Sequence, residues 1–136
     1  ELLSPISEER RGELEALASK VKANVKFHNG VTDAEYRDLL DNATALVSAS
    51  LDEGFGIPVV EAMERGVPVL LSDIGIFREV AGGAGRYFDS KSDEDFALQA
   101  LALQKKPTPV GDLRDQAAKF NWDDSAKRLL KLIETI

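Results

Sequence analysis

Two glutamates stand in a glycine-punctuated stretch, Ser50-Leu51-Asp52-Glu53-Gly54-Phe55-Gly56-Ile57-Pro58-Val59-Val60-Glu61-Ala62-Met63. Seven residues separate Glu53 from Glu61, and Gly54 and Gly56 lie between them. A glycine lets the backbone approach a ligand, because no side chain stands in the way. The stretch runs directly into a helical pattern, and Pro58 suits the first position of a helix. The amides around Gly56 and Ile57 then lie at a helix N-terminus, where phosphate is favoured. A carboxylate beside a phosphate would be repelled by it. Two carboxylates make better sense as acceptors for ligand hydroxyls, such as those of a sugar. Read alone, these residues point to a phosphate-containing ligand, with a nucleotide sugar as one case. Each feature also has a structural explanation. Glutamate near a helix start favours the macrodipole, and loops with two glycines are common.

The elements that must position this stretch alternate between helical and strand-like apolar patterns. Leu14, Leu17, Ala18 and Val21 form one face of a helix that begins near Ser7. Val25 to His28 is a short β-type run, and Thr32-Asp33-Ala34-Glu35 has the form of a capping box. That box opens a helix whose inner face is Tyr36, Leu39, Leu40 and Ala43. Ala45 to Ala49 reads as a buried parallel strand. It leads into the glycine-punctuated loop and then a helix with Val59, Ala62 and Met63 inward. Gly66 and Pro68 end that helix. Val67 to Ser72 is the next strand, Phe77 to Ala81 a short helix at best, and Gly85 to Asp89 the last strand. Ser92 starts a helix carrying Phe96, Ala100 and Leu103. Two helices close the chain, about 112–120 and 122–135. The second places Trp122, Ala126, Leu129, Leu130 and Ile133 on one stripe. Strands alternating with helices predict an α/β domain with a parallel sheet flanked by helices. In such sheets ligands bind outside the carboxyl ends of the strands. The glycine-punctuated loop leaves such an end.

Bulk properties narrow the partners. The chain has 136 residues, enough for one compact domain, and no composition shift marks a second. Its net charge of −7 argues against nucleic acid as a partner, since phosphate binding needs clustered Lys and Arg. It also gives no polybasic surface for anionic lipid. Cysteine is absent, which excludes disulfides and thiolate metal sites and fits a cytoplasmic protein. No apolar run approaches the roughly 20 residues of a spanning helix. The sequence begins Glu1-Leu2-Leu3, without a starter Met, so it reads as processed or cut from a longer chain.

Nearly the whole sequence resembles the second half of the nucleotide-sugar-binding domain of glycosyltransferase family GT4, which has the GT-B fold. Glu53 to Glu61 reproduces that family's E-x7-E motif in its EGFG…EAM setting. Val25-Lys26-Phe27-His28-Asn29-Gly30-Val31 resembles the family's V-x-F-x-G-x-V strand and loop, with the glycine shifted by one. Gly66-Val67-Pro68-Val69 and Ser72-Asp73 resemble the strand after the motif helix. Glu79-Val80 and 82–86 resemble the turn before the last strand, and Phe120-Asn121-Trp122 the closing helix.

The resemblance implies a retaining transferase that takes its sugar from a nucleoside-diphosphate sugar. It implies that Glu53 contacts donor-sugar hydroxyls and is the catalytic-site residue of this chain, and that Glu61 holds the ribose hydroxyls. It places the backbone of Gly54, Phe55 and Gly56 near the sugar and that of Gly56 and Ile57 near the diphosphate. The base would lie against the loop after the Val25 strand, which makes Val31 and Asp33 candidates. Asp33 also suits a helix start, where acids are favoured. His28 reads as structural, and Arg78 and Arg86 as surface groups rather than phosphate ligands. Asp123 and Asp124 read as first-turn acids, not a metal motif. No metal or other cofactor is expected.

The same resemblance assigns the acceptor site to a separate N-terminal domain, and a basic Arg–Lys pair to chain upstream of Glu1. The isolated chain would then be inactive. Full-length protein would be cytoplasmic, with peripheral membrane association open. Two other readings stay open, a nucleotide-sugar epimerase on the same scaffold and a binding module without catalysis. A doubly wound order of 3-2-1-4-5-6 makes the strands here the third to the sixth, with the first two upstream. That would leave a gap of roughly 14 Å, at about 4.8 Å per strand. A complementing chain, a shifted third strand or exchange between protomers would close it, and self-association is expected.

Overall fold

The computed structural model describes residues 1–3 and 5–135. The chain divides into two compact units, Glu1–Leu39 and Leu40–Ile136.

In the first unit, β1 (Leu2–Leu3) leads through α1 (Glu8–Lys20) to β2 (Phe27–His28), and α2 (Asp33–Asp41) follows. Ser7 caps α1 by accepting from the Arg10 amide, as its position before the apolar pattern predicts. The expected face of α1 is realised only in part: Ala18 is buried, but Leu17 and Val21 are exposed. The capping box of α2 is complete. The Glu35 carboxylate accepts from both the amide and the hydroxyl of Thr32, and the Thr32 hydroxyl accepts from the Glu35 amide. These contacts, the Thr32 amide first, hold the Glu35 carboxyl below its ordinary value. One strand differs from expectation. β1, which the sequence reading did not include, pairs in parallel with β2, Leu2 opposite Phe27 and Leu3 opposite His28. A pair of leucines is too short to show a period, and only its ladder identifies it.

The second unit holds a parallel sheet of β3 (Leu46–Ser48), β4 (Val69–Ser72) and β5 (Arg86–Phe88), in the order β3-β4-β5. Leu46 stands opposite Val69 and Ser48 opposite Leu71, while Leu70 stands opposite Arg86 and Ser72 opposite Phe88. All of β4 is buried. Leu70 packs with Phe88 and with Leu103 of α5 (Asp93–Lys105), flanked by Ala45 and Ala100. Phe96 of α5 meets Phe88 edge to face at 5.0 Å. Side chains alternate across a strand, so Val69 and Leu71 face the other way. α3 (Ile57–Arg65) and α4 (Gly75–Ala81) meet β4, and α6 (Val110–Ala117) packs on both helices; together they bring Val59, Met63, Phe77, Val80 and Leu113, all fully buried. A 3₁₀ turn, Gly82–Ala84, joins α4 to β5. The architecture is the expected α/β layering, a parallel sheet between helices.

The closing helix α7 (Trp122–Glu134) begins where predicted, with Asn121 accepting from the Asp123 and Asp124 amides. Its apolar stripe does not enter the core: Trp122 is 83% exposed, and Leu129, Leu130 and Ile133 are also exposed. Among the described residues no helix is long and apolar enough to cross a membrane.

Gly66 terminates α3 in a left-handed conformation, φ 77°, with its amide and that of Val67 turned back onto carbonyls of the last turn. A Cβ here would stand 2.7 Å from one methyl of Val110, with the other at 3.4 Å and the Val110 Cβ at 3.5 Å. Valine is stiff at χ1, so the clash adds to the cost of the left-handed backbone. Gly66→Ala is expected to lower unfolding free energy by at least about 1–2 kcal/mol, measured by urea denaturation, with the slope of the transition unchanged.

Candidate functional site

The loop that leaves β3 is set by three serines. Ser48, the last residue of β3, donates its hydroxyl to that of Ser50 at 3.3 Å. The Ser50 hydroxyl in turn donates to Oε1 of Glu53 at 2.8 Å. Ser72 ends β4 and is wholly buried, and its hydroxyl donates to the backbone carbonyl of Ser50. A buried hydroxyl without a partner would cost free energy, and the loop start supplies that partner. The loop therefore departs from a point tied to two neighbouring strands, and the Glu53 carboxylate is held at an exposed position beyond it.

The loop enters α3 through Gly56, at φ 87° and ψ 50°, with no side chain capping the helix. Ile57 is the first helical residue, so Pro58 occupies the second position, one later than the pattern suggested. Pro58 has no amide hydrogen, and the Val59 amide is bonded to the Gly56 carbonyl at 2.9 Å. The donors left to a ligand at this helix end are thus the Gly56 and Ile57 amides. Gly56 is buried against Phe77, whose ring would lie 3.0 Å from a Cβ at this position. Gly54 differs, since a Cβ there would meet nothing within 4 Å. No feature of the fold requires glycine at Gly54, so a requirement for it would come from what the loop binds.

Phe55 and Ile57 are exposed, but Phe55 has an anchor. Its ring meets that of Phe120, in the connection between α6 and α7, edge to face at 5.4 Å. Glu61 lies in the second turn of α3, half-buried, and its charge contributes to raising the Arg65 guanidinium value. Arg65 also pairs with Asp41, which is the first cause of that rise. Val31 and Asp33 belong to the first unit. Val31 is half-buried beyond β2, and Asp33 is the first residue of α2, the place where acids suit the helix dipole.

Several other polar groups are engaged within the protein. His28 bonds through Nε2 to the Glu1 carboxylate, which it holds below its ordinary value, in keeping with a structural role. Arg78 grips Asp73 with two hydrogen bonds of 2.7 Å and lies over the Tyr87 ring at 3.8 Å. It therefore keeps the Asp73 carboxyl below the usual range. Burial pushes the Tyr87 hydroxyl upward, and that hydroxyl donates to the Gly82 carbonyl at 2.7 Å. Arg86 donates to Gln99 at 3.3 Å, and its Nε is buried without a partner. An open depression of about 490 Å³ lies past β4 and β5, lined in part by Asp73, Asp89 and Asp95. Its acids are engaged: Asp95 accepts from the Asp89 amide and from Gln99, and Asp89 from the Lys91 amide. Asp123 and Asp124 sit in the first turn of α7, as read. Among the described residues no group of three or more His, Cys, Asp or Glu is placed to hold a metal ion.

Two parts of the site were not singled out from the sequence. Ser50-x-x-Glu53 has the spacing of the Thr32-x-x-Glu35 capping box, and that spacing was the available signal. Nothing local pairs Phe55 with Phe120.

Residues 6–122 match the family described as glycosyl transferases group 1. The O-antigen chain mannosyltransferase RfbU of Salmonella typhimurium is 31% identical over 105 residues, 77% of this chain and 30% of that protein. The MMP alpha-(1->4)-mannosyltransferase of Mycolicibacterium hassiacum is 37% identical over 136 residues, 93% of this chain and 33% of that protein. The chain thus spans about a third of the length of these relatives. Sucrose-phosphate synthase from Thermosynechococcus elongatus shares the fold, with a TM-score of 0.80 over 98% of this chain and 37% of that one, at 23% identity.

The two loop glycines make different demands, which substitution separates. Gly56→Ala combines a left-handed backbone with displacement of the buried Phe77 ring and is expected to cost at least about 2 kcal/mol of stability. Gly54→Ala should leave the thermal midpoint within a degree or so of the parent, since a methyl there meets open space. Thermal unfolding of both variants followed by circular dichroism checks the contrast.

Proposed function

The chain belongs to the glycosyl transferases group 1 family, and from that premise we propose that residues 1–136 form the donor-binding domain of a retaining transferase of the GT4 type. The substrate bound here is a nucleoside-diphosphate sugar. The observation that carries the reading is the start of α3, an uncapped helix N-terminus at Gly56, entered by the loop from β3 that carries the exposed Glu53.

Each group then has a task. The Gly56 and Ile57 amides receive diphosphate oxygens, favoured by the positive end of the helix dipole. As the glycosidic bond to the leaving diphosphate breaks, negative charge grows on those oxygens. Fixed amide dipoles stabilise that growth without reorganising. Gly54 gives the sugar room beside the backbone. Glu53 accepts from sugar hydroxyls, with Oε2 presented by the bond that Oε1 accepts from Ser50. Glu61 accepts from the ribose hydroxyls. The two relatives named above are both mannosyltransferases, which supports mannose as the donor sugar. Acceptor binding belongs to a further domain, so residues 1–136 alone transfer little or nothing. Amides and carboxylates in these roles need no divalent metal.

Glu61→Ala in the full-length protein is expected to weaken nucleoside-diphosphate binding by about 1.5–3 kcal/mol, the value of a hydrogen bond to a charged group. Glu53→Ala should reduce transfer far more than it reduces affinity for the free nucleotide. Isothermal calorimetry and sugar-transfer rates measure the two effects. Unchanged nucleotide affinity in Glu61→Ala would remove the ribose assignment.

Transfer should also persist in EDTA. Assays with and without the chelator, followed by Mg²⁺ or Mn²⁺, test this. Complete loss restored by metal would contradict the proposed charge stabilisation.

A further inference from the structure

We infer that Ser50 and Ser72 are positioning residues for Glu53, acting as a relay that fixes the carboxylate before donor arrives. The inference rests on the donor-binding reading above and assigns residues that the E-x7-E pattern does not contain.

A glutamate in an exposed loop has free torsions at every side-chain bond, and ordering it on binding costs entropy. Here much of that ordering precedes the ligand. The Ser50 hydroxyl has one hydrogen and donates it to Oε1 of Glu53 at 2.8 Å. Its lone pairs accept from Ser48 at 3.3 Å, which orients the donation toward Glu53. The Ser50 backbone cannot swing away, because the buried Ser72 hydroxyl holds its carbonyl from the adjacent strand. The carboxylate is thus referenced through two side chains to β3 and through one to β4. Neither serine needs to touch donor. A sugar hydroxyl meets Oε2 at a fixed position, and the nucleotide part, bound by other groups, is not affected by the relay.

The relay predicts a separation of effects. In the full-length protein, Ser50→Ala should lower kcat for transfer about 10-fold or more and leave the Kd for free nucleoside diphosphate within about twofold. Ser50→Thr keeps the hydroxyl and should restore most of the rate. Ser72→Ala, with its thermal midpoint measured alongside, should lower kcat in the same direction. The decisive measurement is a double-mutant cycle. Adding Ser50→Ala to Glu53→Ala should cause no further loss, because the group that Ser50 positions is gone.

A normal kcat in Ser50→Ala would overturn the relay, as would additive losses in the cycle or an equal loss of nucleotide affinity. If Glu53→Ala itself transfers normally, the failure lies in the donor-binding reading instead. If Glu53→Ala is impaired while Ser50→Ala is normal, that reading stands and the relay alone falls.

Discussion

Val69, Leu70, Leu71 and Ser72 are each shielded almost completely from water, so the strand they form must be covered on both faces. A parallel strand in this position has little tolerance for polar groups, and its one hydroxyl is placed at its end. From that constraint much of the second unit follows. β3 and β5 must flank β4 to pair its backbone. α5 must cover Leu70, α3 and α4 also meet the strand, and α6 packs on both of them. The carboxyl ends of the strands then lie together at one edge, which is where the loop from β3 begins.

Ser72 links this packing to chemistry. A leucine at that position would satisfy burial, yet a hydroxyl is present, and it is bonded to the carbonyl of Ser50. Core packing thereby reaches the first residue of the loop. Gly56 does the same at the other end, through its contact with the buried Phe77 ring. Between these fixed ends lie Gly54, with open space around it, and Phe55, steadied by Phe120. The loop is anchored at its two ends and left open at its middle, where a sugar is proposed to lie.

Charge is arranged differently at the two strand-end sites of the second unit. Past β4 and β5, Asp73 and Asp95 are tied to protein partners that hold their carboxyls low. Past β3, the Glu53 carboxylate accepts from the Ser50 hydroxyl and stays exposed to solvent. A net charge of −7 does not by itself distinguish the two. The distinction lies in which acids are already bonded within the protein.

Much of the local structure was legible in the residues alone. Ser7, Thr32 and Ser92 mark helix starts, and each caps its helix, because a cap needs only a side chain and an amide two or three residues away. Strand-like runs placed β3, β4 and β5, but β3, read as buried, leaves Val47 49% exposed, and only β4 is covered along its whole length. Pairings distant in sequence were decided by tertiary structure. Leu2–Leu3 is a strand only because Phe27–His28 lies beside it. The stripe on α7 has the period of a buried face and is exposed, since periodicity states that a face is apolar and not what covers it. The Ser72–Ser50 bond joins residues 22 apart, and strand register alone brings them together. The sequence thus determined which segments turn or extend and which residues could bind. The tertiary structure decided which of those residues are held, because a hydroxyl or a ring acts on a distant partner only once the sheet has fixed the distance.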